Sequence, residues 1–292
     1  MKKAFQKSRI PEHNAYIIKE LVAPSFDKNW HFHPEYQLFL VLEGHGTRFV
    51  GDDMRPFQPN DMVLTGPNLP HLWRNDQTYF EKDSVLMTRG IVVYFPEDFL
   101  GEKMLEKEEF EEFRTLLKRA ALGLQIIGKT NQILKGKLIR LVQKKGMDRI
   151  IGLLEILLLI SRSTEVKTIV QAGYINANKE SEKDRMSKVH AFVMDHFQQD
   201  IKQEKVAELI NMTSTSFSRY FKSRMNKSFS DFLSEVRISH ACKLLHTENL
   251  NISEISYDSG FNTLSNFNRQ FKNKMGVTPK VYKRDFQPRF DQ

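Results

Sequence analysis

The chain has 292 residues, 40% of them hydrophobic and 27% charged, a formal net charge of +8 and one cysteine. That length exceeds what one core usually fills, so about two domains are expected, and the lone Cys242 excludes an intramolecular disulfide and fits a reducing compartment. The longest apolar run, Ile150 to Ile160, is interrupted by Gly152 and Glu155 and falls short of the roughly 20 residues of a membrane span.

The opening stretch MKKAFQKSRIPEHNAY is basic with no apolar segment behind it, so no secretory signal and a cytoplasmic location are expected. Residues 10 to about 95 then carry short apolar or alternating runs, such as Tyr36 to Leu42, Thr47 to Val50 and Met62 to Thr65. Turn clusters separate them at Glu43-Gly-His-Gly46, Gly51-Asp-Asp53, Pro59-Asn-Asp61 and Gly66-Pro-Asn68. Short strands spaced by turns predict an antiparallel sandwich or barrel over residues 1–95. Within it, Trp30-His-Phe-His-Pro-Glu35 sets His31 and His33 two apart, on one face of a strand, and Gln37 shares that face if alternation survives Pro34.

From Pro96 the texture turns helical. Glu108 to Leu124 and Ile133 to Ser161 repeat Leu, Ile and Phe at intervals of three and four, with charges between. A helical hairpin over 96–172 is expected, either as a dimer contact or as a purely intramolecular pair. Leu153 to Leu159 is apolar nearly all round, which favours burial between surfaces and a dimer. Residues 173–184 are polar and read as a linker.

The remainder, 185–292, holds 17 Lys and Arg against 11 Asp and Glu, whereas the first 184 residues hold 27 against 25. Such asymmetry suits a polyanionic partner or a solvated basic surface. Here the stretch FSRYFKSRM, Phe217 to Met225, returns as FNRQFKNKM, Phe267 to Met275. Phe217, Phe221 and Met225 stand at i, i+4 and i+8, one face of a helix, as do Phe267, Phe271 and Met275. Each copy follows a short amphipathic helix and a turn, Glu204 to Ile210 and Ile252 to Ser256, with Thr213 and Asn262 as expected N-caps. Asn251 and Glu254 have the form of a capping box, and Gly260 suits a left-handed turn. Each unit is helix, short turn, helix, which can place its second helix in the major groove of DNA. A longer helix capped by Ser228 to Asp231 joins them.

Residues 187–284 closely resemble the DNA-binding domain of AraC/XylS-type bacterial transcription regulators, through ISEISYDSGFNTLSNFNRQFKNKMGVTPKVYK above all. Ser256, where that family usually has Ala, and Asn226, where Gly is common, depart from the pattern. The resemblance implies base-facing roles for Ser214, Thr215, Ser218 and Arg219 in the first unit and for Thr263, Ser265, Asn266 and Arg269 in the second. Arg can pair with guanine and Asn with adenine. Alternatives are capping or phosphate contact for the Ser and Thr, and a surface ion pair with a Glu for each Arg. Lys222, Lys272, Arg224 and Lys274 suit phosphate contact or solvated charge.

Residues 20–95, with His31, His33, Gln37, His71 and Asn75, resemble the two motifs of the cupin barrel. In metal-binding cupins the positions of His31, His33, Gln37 and His71 hold three His and a Glu; here Gln37 removes the anionic ligand. Three readings stand: a divalent metal on three histidines, a pocket for a polar small molecule, or histidines that only brace the barrel. The pocket is the working expectation, with His31, His33, Gln37, Arg48, His71 and Trp73 as effector contacts and no cofactor. The family resemblance implies a sugar or related metabolite as effector, promoter DNA and RNA polymerase as partners, and a non-enzymatic activator acting as a homodimer. The rival is a metal-dependent cupin enzyme with a DNA-binding tail.

Overall fold

The computed structural model describes residues 10–27, 29–170, 174, 183–247 and 250–286. The chain forms two compact units, Met1–Asn178 and Lys179–Gln292. The expected linker, 173–184, lies outside the described residues apart from Tyr174, Lys183 and Asp184.

In the first unit β1 (Ile17–Ala23), β2 (Tyr36–Glu43), β3 (Gly46–Val50), β4 (Asp53–Phe57), β5 (Met62–Thr65), β6 (His71–Asn75) and β7 (Thr88–Phe95) are followed by β8 (Leu124–Ile126) and β9 (Val166–Thr168). They make two antiparallel sheets, ordered β1-β7-β2-β5-β8-β9 and β4-β3-β6. Strand alternation divides the larger sheet between two cores. Leu38, Leu40, Met62, Leu64, Ile91 and Val93 face the helices. Phe39, Val41, Val63, Val92 and Tyr94 face Val50, Phe57 and Trp73 of the smaller sheet. Burial on both faces explains why Leu38 to Leu42 of β2 read as an unbroken apolar run.

The helical layer comprises α1 (Glu102–Leu105), α2 (Glu111–Ala120), α3 (Gly128–Gln143) and α4 (Gly146–Arg162). Two details differ from the sequence reading. The helix expected to reach Leu124 stops at Ala120, because Gly123 turns left-handed at φ 66° and delivers Leu124 to β5. Ile133 to Ser161 is likewise two helices, broken where Gly146 takes φ 56°. Strands of three residues are too short to carry a readable period.

The second unit contains α5 (Lys183–His196), α6 (Gln203–Leu209), α7 (Ser214–Met225), α8 (Phe229–Thr247), α9 (Ile252–Asp258), α10 (Leu264–Met275) and α11 (Pro279–Phe286). The recurring aromatics are its core: Phe217, Phe221, Phe267 and Phe271 are all fully buried. The Met positions diverge, with Met225 1% exposed and Met275 36%. After α7 the chain continues into the 19-residue α8, whereas after α10 only the 8-residue α11 follows.

Ser256 is fully buried, and its hydroxyl has no hydrogen-bond partner among the described residues. A desolvated, unpaired hydroxyl costs about 1–3 kcal/mol. Ser256→Ala is therefore expected to raise the thermal midpoint of the second unit, by roughly 1 kcal/mol of stability, read by far-ultraviolet circular dichroism. An unchanged or lower midpoint would show that the hydroxyl finds a partner in solution.

Candidate nucleic-acid interface and sensor interior

Each recurring helix begins on a threonine. Thr213 Oγ1 accepts from Ser216 N at 3.3 Å to start α7. Thr263 Oγ1 accepts from Asn266 N at 3.3 Å to start α10. The expected cap Asn262 is therefore displaced by one residue: the extended backbone of Thr263, φ −144° and ψ 140°, brings its hydroxyl onto the first-turn N–H groups. Both helices end in the left-handed conformation, at Asn226 (φ 52°) and Gly276 (φ 75°). Upstream, Asn211 at φ 56° and Gly260 at φ 86° make the turns from α6 and α9. The capping box at Asn251 and Glu254 is fully formed.

Burying Phe217, Phe221, Phe267 and Phe271 leaves the opposite faces of α7 and α10 exposed. On α7 that face carries Thr215, Ser218, Arg219 and Lys222; on α10 it carries Ser265, Asn266, Arg269 and Lys272. Among the described residues neither Arg219 nor Arg269 pairs with a carboxylate. Arg269 Nη2 donates instead to Asn266 Oδ1 at 3.0 Å, one turn back along the helix. Two expected contacts are otherwise engaged. Ser214 is half-buried, and its hydroxyl joins Gln203 Nε2 at 2.8 Å and Glu204 Oε1 at 3.3 Å, tying α7 to α6. Thr263 is the cap just described. Lys274 pairs with Glu235 of α8, which also holds Lys227 at 2.8 Å, so this lysine is not a loose cation. Sequence reasoning passed over Asn268, the exposed counterpart of Ser218 fifty positions on; extending the repeat letter by letter would have found it.

In the first unit the histidines meet between the sheets, though not as strand neighbours. His31 forms an isolated bridge with His71, and His33 lies in the turn before β2. Their rings stand close, with centroids 4.6 Å apart for His31 and His71 and 5.0 Å for His33 and His71. Gln37 Oε1 lies 3.2 Å from His33 Nε2 and 3.2 Å from His71 Nε2. Burial holds the His71 imidazole well below the usual histidine range, aided by the neighbouring His31 and His33. Tyr94 closes the cluster 5.1 Å from the His33 ring, its phenol pushed up by burial.

Arg48 and Trp73 adjoin this cluster. Trp73 sits 5.8 Å from His71, and its indole donates to Asp61 Oδ2 at 3.0 Å. Arg48, 1% exposed, donates to the other Asp61 oxygen. Burial raises the Asp61 carboxyl above its ordinary range, opposed by the Arg48 guanidinium and the Trp73 indole. Arg48 Nε and Nη2 have no hydrogen-bond partner among the described residues. The six expected effector contacts thus fall into a histidine–glutamine cluster and an adjacent buried ion pair.

Together the two exposed helix faces and the sheet-lined interior define a DNA-binding protein of two helix-turn-helix units with a cupin-type unit ahead of them. Residues 206–285 match the family of helix-turn-helix domains and residues 19–79 the cupin domain. The chain is similar to the uncharacterised HTH-type transcriptional regulator YdeC of Bacillus subtilis (strain 168), 28% identical over 259 residues, covering 87% of this chain and 85% of that one. It is also similar to YfiF of the same organism, 22% identical over 261 residues, covering 87% and 78%. Among solved structures, the C-terminal domain of AraT, a response regulator from Geobacillus stearothermophilus, is 31% identical and covers 37% of this chain and 91% of that one, with a TM-score of 0.35. The chain combines a helix-turn-helix domain with a cupin domain and is similar over most of its length to HTH-type transcriptional regulators. Among its described residues no helix is long and apolar enough to cross a membrane.

Proposed function

We propose that the protein reads promoter DNA through α7 and α10 under the control of a small molecule bound in the first unit. The observation that carries this is the pairing of one conserved scaffold with two different exposed faces, Thr215, Ser218, Arg219 and Lys222 against Ser265, Asn266, Arg269 and Lys272. Arg and Lys recur at matching positions of both faces, whereas Thr215 and Ser218 of the first stand where the second has Ser265 and Asn268, a difference for which a nonspecific binder has no use. The intervening α8, with 19 residues, is about 28 Å long, close to the ~34 Å separating successive major grooves. Arg219 and Arg269 are the base readers, Asn266 holds Arg269 in place, and Lys222 and Lys272 neutralise phosphate.

Arg269→Ala is expected to weaken operator binding by about 1–3 kcal/mol and relax preference at one base pair. Gel shifts against a permuted operator, itself defined by footprinting, measure both. Unchanged affinity together with unchanged preference would remove Arg269 from the interface.

The first unit, residues 1–95 with the helical layer 96–172, is the sensor. Its effector is a sugar or related metabolite contacting His31, His33, Gln37, Arg48, His71 and Trp73, and it acts only through different affinities for two states of the regulator. The protein is a cytoplasmic, non-enzymatic homodimer that contacts RNA polymerase when it activates. Met147, Ile151 and Leu158, at 70%, 46% and 43% exposure, recur along α4 at helical spacing and form the proposed dimer contact. A monomeric mass by light scattering at micromolar concentration, with and without DNA, would overturn the dimer.

A further inference from the structure

We infer that Glu235 is a positioning residue for DNA reading: its one carboxylate holds a lysine from each helix-turn-helix half, which fixes α7 and α10 relative to each other and so selects the half-site spacing that the protein accepts. The inference rests on the reading of DNA by these two helices and goes beyond it by assigning their separation to one side chain.

The residue stands at the seam of two cores. Along α8, Phe229 and Phe232 pack with Phe217 and Phe221 of the first half, their rings 5.4 to 5.5 Å apart. Ile238, Ala241 and Leu245 pack with Phe267 and Phe271 of the second half. Glu235 lies between Phe232 and Ile238 in the chain. Apolar burial has no preferred direction, so packing on a shared rod defines the separation and twist of α7 and α10 less sharply than charged hydrogen bonds do.

Those bonds come from both sides. Glu235 Oε2 accepts from Lys227 Nζ at 2.8 Å, and Oε1 accepts from Lys274 Nζ. Lys227 follows Asn226, the left-handed residue that ends α7, and Lys274 lies in the last turn of α10. The two lysines are not counterparts in the repeat. Lys274 matches Arg224, which donates to Ser223 Oγ and lies over the Tyr220 ring, while Lys227 matches Val277. The clasp is therefore no by-product of duplication; it belongs to the place where both copies face one helix.

Shielding makes the clasp selective. Glu235 is 11% exposed and Lys227 12%, and a shielded charge that loses its partner is left uncompensated. The arrangement with both lysines in place is thus favoured over its neighbours, and setting register is the best-attested use of such pairs. DNA turns this into a choice of spacing. One added base pair moves the second half-site by about 3.4 Å and turns it by roughly 35°, a shift that clasped helices resist and released helices follow in part.

The test uses the full chain and two variants. Glu235→Gln keeps the shape of the side chain, but its amide has one oxygen to accept with and turns N–H donors on the other lysine. Lys274→Met cuts one arm, and because Lys274 is 44% exposed the fold should survive, as the circular dichroism melt checks. Nitroxide labels attached through Ser218→Cys and Asn268→Cys, both exposed positions, report the distance between α7 and α10 without DNA, in labelled chain diluted with unlabelled; Cys242 is buried. One narrow distance is expected in the parent and a broader distribution in each variant. Gel shifts then use the footprinted operator with one base pair added or removed between half-sites. The parent's preference for the native spacing should shrink by roughly two- to fivefold in each variant. A lysine that only neutralised phosphate would lower affinity equally at every spacing. Unchanged distances in both folded variants overturn the clasp. Broadened distances with the parent's spacing profile, or losses equal at every spacing, overturn its part in operator choice. If footprinting finds no preferred site, the reading by α7 and α10 falls together with the spacing claim, while the distances still decide the clasp.

Discussion

Replacing Gly260 with alanine is expected to destabilise the second unit by roughly 3 kcal/mol or more, from backbone strain and overpacking together. The turn from α9 to α10 needs Gly260 at φ 86°, a region that costs side-chain-bearing residues about 1–3 kcal/mol. Space is short as well: an added Cβ would lie 2.6 Å from Phe197 O, 2.8 Å from Gln198 Cα and 2.9 Å from Arg237 Nε. Two of these are backbone atoms, and the third is fastened, since Arg237 Nε donates to Phe197 O at 2.7 Å. Gly276 is the internal control. It also takes a positive φ, 75°, yet nothing lies within 4 Å of its would-be Cβ, so Gly276→Ala should cost only about 1 kcal/mol of backbone strain. Both tryptophans, Trp30 and Trp73, belong to the first unit. Circular dichroism at the helix band reports both units, since α1 to α4 are helical as well, and tryptophan fluorescence identifies the transition that belongs to the first, which should stay in place. Equal midpoints for the two alanine variants would show that the end of α5 does not press on this turn.

Much of the second unit was legible because its signals are local and doubled. Phe at i and i+4, a threonine before each helix and a left-handed residue after it all lie within a dozen residues of sequence, and the repeat checks each assignment against a second copy. Errors there were of one residue, as with Asn262 and Thr263. What stayed hidden was long-range: Ser214 looks free until α6 brings Gln203 and Glu204 to it, and Lys274 looks like a phosphate contact until α8 supplies Glu235. The first unit was harder for the same reason. Alternation predicted the strands, but β8 and β9 are three residues each and owe their state to the sheet they join. The histidines were found by spacing on a strand that does not exist at that point. They converge because the His31–His71 bridge and the turn at Pro34 bring them together, a tertiary outcome that residue spacing only happened to match.

Phe271→Ala and Phe221→Ala are each expected to cost about 3–5 kcal/mol, the range for emptying a buried aromatic site. Phe271 is fully enclosed, 5.6 Å from Phe267 and 5.4 Å from Tyr282, in a cluster with Ile238, Ala241, Leu245, Ile255 and Phe261. Phe221 occupies the same place in the first half, 5.5 Å from Phe229 and 5.4 Å from Phe232. The helix α8 belongs to both clusters, giving Phe229 and Phe232 to one and Ile238, Ala241 and Leu245 to the other. A rod shared in this way should make the two halves melt together, so each variant is expected to lower one cooperative transition. If Phe221→Ala instead adds a dichroism transition that tryptophan fluorescence does not share, α8 does not couple the halves. The comparison with Arg269→Ala separates scaffold from reading surface. That variant removes an exposed side chain and should leave the melt within about 0.5 kcal/mol of the parent while operator binding falls. Phe271→Ala should lower the melt, and at temperatures where it remains folded it should discriminate among operator bases as the parent does. Should Phe271→Ala change base preference while folded, or Arg269→Ala lower the melt as far, the recurring and the varying letters of the repeat would not be divided between support and recognition.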